Sequence, residues 1–166
     1  LVVDGDFPSD VLPWLGLERR GVTVRRLRPA RPLPDPDELR QALRQPPAGR
    51  GARRPATRLF CTTWVHSFSG FAADLAGLGA VCREEGVLLV ANTSQALGAR
   101  NLDVGSLPVD AIVNVGFKWL CGPYGTGFCW MRPDLIAALE YNQAYWLAQM
   151  TAADLGSEGR ELRLPA

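Results

Sequence analysis

Lysine is nearly missing from this sequence of 166 residues: Lys118 is the only lysine among 18 basic residues, and all the others are arginine. A composition that prefers arginine accounts for the missing surface lysines, because arginine carries a solvated charge equally well. It does not account for the one that remains. Only lysine presents a primary amine on a flexible stem, and such an amine can condense with an aldehyde. Lys118 is therefore the first candidate for a chemical role.

Histidine and paired cysteines are also scarce. The single histidine, His66, has no partner at metal-ligand spacing, so no metal site is expected. The four cysteines show no CxxC spacing, which predicts free thiols in a reducing compartment and hence a cytoplasmic protein. They are Cys61, Cys82, Cys121 and Cys129.

Net charge and hydropathy exclude further classes of function. The net charge is +1, which argues against a nucleic-acid interface, and the arginine clusters at 19–31 and 50–58 are interpreted as solvated edges and loop. No apolar run reaches membrane-spanning length, and no signal peptide is expected at Leu1. With 47% hydrophobic and 21% charged residues, the chain is typical of a soluble globular domain with one sizeable core.

Strand-like and helix-like segments follow one another along the chain. Short apolar runs predict strands at 1–4, 21–27, 58–64, 87–91, 111–115 and 129–131. Helical spacing and capping residues predict helices at 11–20, 35–45, 71–85 and from Pro133 to about Tyr141, with an exposed loop at 46–57. This order predicts an α/β fold with a mostly parallel sheet and flanking helices.

Polar groups directly follow two of the predicted strands. Asn92 to Gln95 come after the run at 87–91, and Lys118 comes shortly after the run at 111–115. In open α/β sheets, ligands bind beyond the carboxyl ends of the strands, so we expect both groups to project into one crevice. Gly116, Gly122, Gly125 and Gly127 would let the backbone approach a ligand there, although any one of them alone is ordinary turn punctuation.

Several ordered motifs carry a resemblance to a known family. Residues 118–128 (KWLCGPYGTGF) resemble the cofactor-lysine segment of class V aminotransferase-fold enzymes, which use pyridoxal phosphate (PLP) and include cysteine desulfurases and isopenicillin-N-epimerase-like proteins. The stretches 92–98, 102–110, 64–86 and 7–14 resemble further family segments in the same order. The resemblance covers about residues 1–140 and implies the large domain of a fold-type I PLP enzyme, present in part, with 141–166 as a tail toward a small domain.

The resemblance implies a role for several side chains. Lys118 would hold PLP as a Schiff base and move the α-proton of an amino-acid substrate. Gln95 would donate to the phenolic oxygen of the cofactor, Phe7 would stack on its ring, and Ser67 would face the same oxygen or the substrate carboxylate. Taken singly, Phe7 is better interpreted as a core aromatic and Gln95 as a helix-capping amide; only their order relative to Lys118 reverses this and favours the cofactor roles.

The resemblance also implies an assembly. Family members form homodimers with active sites at the interface, and Thr126 lies in the segment that would approach the cofactor phosphate of the partner. Phe117 stands where the family often has a histidine before the lysine, and aromatic residues at this position occur in some subfamilies. We therefore place both residues among the cofactor-binding candidates.

One departure from the family pattern opens an alternative. Asn92 stands where the family has an aspartate that pairs with the protonated pyridine nitrogen, and a neutral amide supplies no charge. The phosphate-binding glycine-rich segment and the small domain also lie outside the sequence. The chain is thus interpreted as a PLP enzyme acting on an amino acid by transamination, racemisation, elimination or desulfuration, or as a noncatalytic remnant of that fold. An unrelated nucleotide-binding domain is disfavoured because neither GxGxxG nor a P-loop occurs.

Overall fold

The computed structural model describes residues 1–45 and 57–139, which form six strands and four helices. The strands are β1 (Val2–Val3), β2 (Arg26–Leu27), β3 (Leu59–Thr63), β4 (Leu88–Asn92), β5 (Ala111–Val115) and β6 (Gly127–Met131). The helices are α1 (Pro8–Gly16), α2 (Pro36–Arg44), α3 (Leu75–Glu84) and α4 (Pro133–Ala137), and a 3-10 turn spans Leu17–Arg20. The predicted loop at 46–57 lies, apart from its last residue, outside the described residues.

The strands form one sheet in the order β2-β1-β3-β4-β5-β6. The first five are parallel, and β6 runs antiparallel to β5 at the edge. The prediction of a mostly parallel sheet is confirmed. Asn92 pairs with Thr63 of β3 on one side and with Val113 of β5 on the other, so the carboxyl ends of these three strands meet at one edge of the sheet.

Helix α1 begins earlier than the sequence pattern predicts. The prediction placed its start at Val11 after a turn, but the helix runs from Pro8 to Gly16 and the 3-10 turn follows it to Arg20. A proline in the first turn is compatible with helical geometry, since the amide proton it lacks would have no helical acceptor there. The earlier start places Asp10 in the first turn of the helix.

Helix α3 begins later than predicted, at Leu75 instead of Phe71. The carboxylate of Asp74 accepts a hydrogen bond from the backbone N–H of Gly77 at 3.0 Å and so caps the helix. Residues 71–74 are not helical, and Ala72 forms an isolated antiparallel bridge with Val65. A second error concerns β2, which covers only Arg26–Leu27 of the predicted 21–27, because Gly21 ends the 3-10 turn with a φ of 82°.

The core lies between the sheet and its helices. Phe60 and Leu89 from the sheet are fully buried together with Leu39 of α2 and Leu78 of α3. Burial of such side chains contributes about 1.5–3 kcal/mol each, which makes this cluster the main source of stability in residues 1–132. Helix α2 carries a capping box, in which the Asp35 carboxylate accepts from Glu38 N and the Glu38 carboxylate accepts from Asp35 N.

Residues 133–166 form a separate compact unit, of which the structure describes 133–139. Helix α4 begins at Pro133 as predicted, and its described part ends at Ala137. Tyr141 and the predicted tail 141–166 lie outside the described residues. Within residues 1–45 and 57–139, no helix combines the length and the apolar character that a membrane crossing requires.

Candidate active site

Lys118 lies three residues beyond the end of β5, at the edge where the parallel strands end. Its side chain is half-buried, and its Nζ atom stands 5.5 Å from the centroid of the Phe7 ring. Phe7 directly precedes α1, so the turn after β1 brings this aromatic ring to the lysine. A cation placed over a ring face at this distance is a favourable contact. The structure thus brings together two of the predicted site residues.

Backbone hydrogen bonds close the turn that carries Lys118. Cys121 N donates to Lys118 O at 3.0 Å, and Gly122 N donates to Gly116 O at 2.8 Å. Cys121 has a φ of 54°, a left-handed conformation that costs an ordinary residue about 1–2 kcal/mol. The turn is therefore tightly folded, and its geometry is maintained at the expense of local strain.

Gly98 supports this turn from the loop that follows β4. Its φ is 100°, and a Cβ atom placed on it would lie 2.7 Å from Trp119 O. Only glycine avoids both the backbone strain and the collision with a carbonyl group. The loop that carries Gln95 and the loop that carries Lys118 consequently pack backbone against backbone.

Asn92 ends β4 and is hydrogen-bonded to a carboxylate that the sequence analysis overlooked. Its Nδ2 donates to Asp10 Oδ1 at 2.7 Å, and its Oδ1 accepts from Ser94 N at 2.9 Å. Asp10 is only 4% exposed, and its Oδ2 is buried without a hydrogen-bond partner among the described residues. Asp10 follows Phe7 by three residues, which is about one helical turn. A helix that begins at Pro8 therefore predicts that the two side chains lie on the same face.

The charge of Asp10 is costly where it lies. Burial, with a smaller contribution from the neighbouring Asp6, raises the pKa of this carboxyl from 3.8 to about 6. The hydrogen bond from Asn92 and the positive charge of Lys118 act in the opposite direction. Asp10 is therefore ionised at neutral pH, although the protein interior disfavours its charge.

Gln95 and Ser67 are half-buried, and neither side chain hydrogen-bonds to any residue in the described ranges. Gln95 lies in the turn after β4, and Ser67 is the first residue of the turn at 67–69, which follows β3. Both polar groups are thus available to a ligand. His66 lies beside Ser67, where its ring nitrogens are 2.9 Å from Ser69 Oγ and 3.3 Å from Gly5 O.

Phe117 directly precedes Lys118, and Thr126 directly precedes β6. The Phe117 ring stacks on Tyr124 with centroids 4.2 Å apart and an interplanar angle of 9°. Thr126 is exposed, and its hydroxyl donates to Pro123 O at 2.6 Å. Their predicted contacts with a cofactor stay predictions, because these side chains contact residues of their own turn.

These groups fit an aromatic aldehyde with polar substituents. An amine stands beside an aromatic ring, an amide and a hydroxyl have open hydrogen-bonding capacity, and a buried carboxylate oxygen is unpaired. PLP has the matching parts, namely an aldehyde, a phenolic oxygen and a ring nitrogen. The residues present therefore fit the cofactor that the resemblance implies.

Comparisons with known proteins identify relatives of this chain. The isopenicillin N epimerase of Amycolatopsis lactamdurans is 35% identical over 128 residues, covering 76% of this chain and 31% of that protein. A probable cysteine desulfurase of Methanothermobacter thermautotrophicus is 28% identical over 152 residues, covering 91% of this chain and 35% of that protein. The chain thus spans about a third of the length of the curated relatives it matches.

A solved structure shows the same fold. The C-DES protein with glycine covalently linked to its PLP cofactor superposes with a TM-score of 0.70 at 25% identity, over 82% of this chain and 35% of that one. The architecture is therefore that of fold-type I PLP enzymes. The sequence model of the family described as aminotransferase class-V matches residues 1–144. This chain belongs to the class V aminotransferase family of PLP-dependent enzymes.

Proposed function

We propose that Lys118 holds PLP covalently through its Nζ atom and that the full-length protein acts on an amino acid. The observation that carries the proposal is the position of the only lysine, which stands over the Phe7 ring at the edge where the parallel strands end. Membership of the class V family supports the same assignment. No other side chain in the sequence offers an equivalent amine.

The remaining residues would orient the cofactor. Phe7 presents its ring to the lysine amine and would cover one face of the pyridine ring. The open amide of Gln95 would donate to the phenolic oxygen, and the open hydroxyl of Ser67 would serve the same oxygen or the substrate carboxylate. Phe117, next to the lysine, would contact the cofactor held by its own chain, and Thr126 would approach the cofactor phosphate of the partner.

Lys118 would also move a proton at the substrate. When bound, PLP withdraws electrons from the α-carbon of an amino acid and so acidifies the hydrogen at that carbon. The Nζ of Lys118, once exchanged for the substrate amine, would accept this proton and return it. Sulfur transfer by the core cysteines is disfavoured, because burial raises the pKa of both the Cys61 and Cys82 thiols to about 12.

Reductive labelling of the full-length protein tests the assignment. After incubation with PLP and treatment with borohydride, peptide mapping is expected to find the pyridoxyl group on Lys118. A Lys118→Arg variant keeps the positive charge but lacks the nucleophilic amine, so it is the matched control and should remain unlabelled.

Two outcomes would contradict the proposal: no label on the peptide containing Lys118, or equal labelling of the Lys118→Arg variant. If Lys118 is labelled, a second experiment identifies the substrate: the protein is incubated with a panel of amino acids that carry deuterium at the α-carbon, and the one that loses its deuterium is the substrate. Washout that persists in Lys118→Arg would exclude Lys118 as the group that moves the proton.

We further propose that the protein is a cytoplasmic homodimer. Free thiols at all four cysteines of the described residues support a reducing compartment. Tyr124 is 86% exposed, Trp119 and Leu120 earlier in the same segment are also exposed, and apolar side chains of this size favour a covered surface. Residues 1–140 would belong to the large PLP-binding domain, with 141–166 leading toward a small domain.

A further inference from the structure

The hydrogen bond between Asp10 and Asn92 joins a helix to the end of a strand 82 residues later in the chain. Asp10 projects from the first turn of α1, and only 4% of its surface is exposed. One carboxylate oxygen accepts from the Asn92 amide at 2.7 Å. The other oxygen is buried and has no hydrogen-bond partner among residues 1–45 and 57–139.

The orientation of the Asn92 amide follows from its two partners. A backbone N–H can only donate, so the atom that faces Ser94 N at 2.9 Å is the amide oxygen. An ionised carboxylate can only accept, so the atom that faces Asp10 is the amide nitrogen. The negative charge therefore lies on the nitrogen side of the amide and polarises its oxygen, for which Ser94 N is the only hydrogen-bond donor in the described part of the chain.

A purely structural role does not explain the carboxylate. An unpaired buried polar group costs about 1–3 kcal/mol, and the cost is greater when the group is charged. An asparagine at position 10 would accept the same hydrogen bond from Asn92 without bringing a charge into the interior. The neighbouring Asp6 is a second buried carboxyl group whose charge acts on Asp10, but both of its oxygens accept backbone N–H groups, from Phe7 and Thr63.

We infer that Asp10 is a positioning residue that supplies, through the amide of Asn92, the negative charge that keeps the ring nitrogen of the cofactor protonated. The inference rests on the proposed function, because it requires PLP at Lys118. Asn92 would contact the ring nitrogen of the cofactor, and Asp10, hydrogen-bonded to the other end of the same amide, carries the charge that the amide lacks. On this basis Asn92 is half of a charged pair, and it does not mark a noncatalytic remnant.

The experiment measures the pKa of the ring nitrogen by nuclear magnetic resonance. Full-length protein is loaded with PLP carrying ¹⁵N in its ring, and the nitrogen chemical shift is recorded against pH. An opposite charge within about 4–6 Å shifts a pKa by about 1–3, and Asp10 acts through the intervening amide, so the ring-nitrogen pKa is expected to fall by about 1 in Asp10→Asn. The double variant Asp10→Asn/Asn92→Asp moves the carboxylate to the other side of the pair and is expected to restore the wild-type value.

Matched variants separate charge from folding. Asp74→Asn makes the same chemical change at the start of α3, where asparagine also caps a helix, and is expected to leave the ring nitrogen unchanged. Asn92→Leu keeps Asp10 but removes the amide, and it is expected to lower the ring-nitrogen pKa as Asp10→Asn does. It carries the test if Asp10→Asn fails to fold.

The outcomes distinguish the two proposals. If the wild-type protein binds no PLP at Lys118, the proposed function is wrong and the inference falls with it. If PLP is bound at Lys118 but Asp10→Asn or Asn92→Leu titrates like the wild type, the inference is overturned while the proposed function stands. A lowered pKa in either variant together with recovery in the double variant supports the inference.

Discussion

Replacing Asp10 by asparagine should stabilise the cofactor-free protein, by an amount that depends on pH. The substitution keeps the size and shape of the side chain and retains an oxygen that accepts from Asn92 Nδ2. It removes a negative charge from a site that is 4% exposed. Loss of a hydrogen-bonded buried carboxylate would ordinarily destabilise a protein, so the sign of the effect is diagnostic.

The magnitude follows from the pKa of the carboxyl. Burial raises this pKa from 3.8 to about 6, so ionisation is about 3 kcal/mol less favourable in the folded than in the unfolded protein. Below pH 3.8 the carboxyl is protonated in both states and costs nothing. Stability is then lost as the pH rises from 3.8 to about 6, and above that range the loss is constant. The asparagine variant escapes this loss.

Urea unfolding followed by tryptophan fluorescence measures the effect, since the sequence contains five tryptophans. The free energy of unfolding of Asp10→Asn minus that of the wild type should grow by about 2 kcal/mol between about pH 4.5 and pH 7.5. Titration of Asp6 and other groups shared by the two proteins largely cancels in this difference. Both proteins are compared without PLP, because a bound ring nitrogen would favour the charge.

A difference that stays flat over this pH range would refute the reasoning, since it would mean that Asp10 titrates alike in the folded and unfolded protein. A variant that is less stable than the wild type near pH 7.5 would refute it as well. In that case the carboxylate would be well solvated or paired, contrary to its burial and its unpaired oxygen.

Two further predictions concern the lysine turn. Gly98→Ala should destabilise the protein by at least about 1 kcal/mol and weaken PLP binding, because its Cβ would lie 2.7 Å from Trp119 O; urea unfolding and PLP titration measure both, and unchanged binding would contradict the proposed contact between the loops. Sedimentation of the PLP-bound full-length protein should give a dimer at micromolar concentration, and Tyr124→Asp should weaken it because a charge would enter the apolar interface; a monomeric wild type would contradict the assembly.

The apolar runs of the sequence predicted the parts of the fold that depend on burial. The runs at 87–91 and 111–115 became β4 and β5 within one residue, since buried parallel strands need continuous apolar sequence. Their carboxyl ends then placed Asn92 and Lys118 at one edge of the sheet. The direction of β6 was not predicted, because strand composition contains no information on whether a neighbour runs parallel or antiparallel.

Local competition at helix starts limited the prediction of the site. Pro8 was interpreted as part of a turn, whereas it opens α1, and this error of three residues hid Asp10. Asp74 was interpreted as part of a helix that began at Phe71, although its side chain caps the helix. Proline and aspartate are common both in turns and at the start of helices, so the sequence does not distinguish the two, and tertiary contacts decide between them.

The contact between Gly98 and Trp119 limits how the site can be redesigned. Because Gly98 has no side chain to separate them, the two loops pack in direct contact. A displacement of the Gln95 turn would therefore move the lysine turn with it. The phenolic oxygen and the aldehyde of PLP would therefore be located by a single rigid block. If Ser67 faces the substrate as proposed, substitutions there would alter specificity more readily than substitutions at residues 95–98, because Ser67 lies on a different loop.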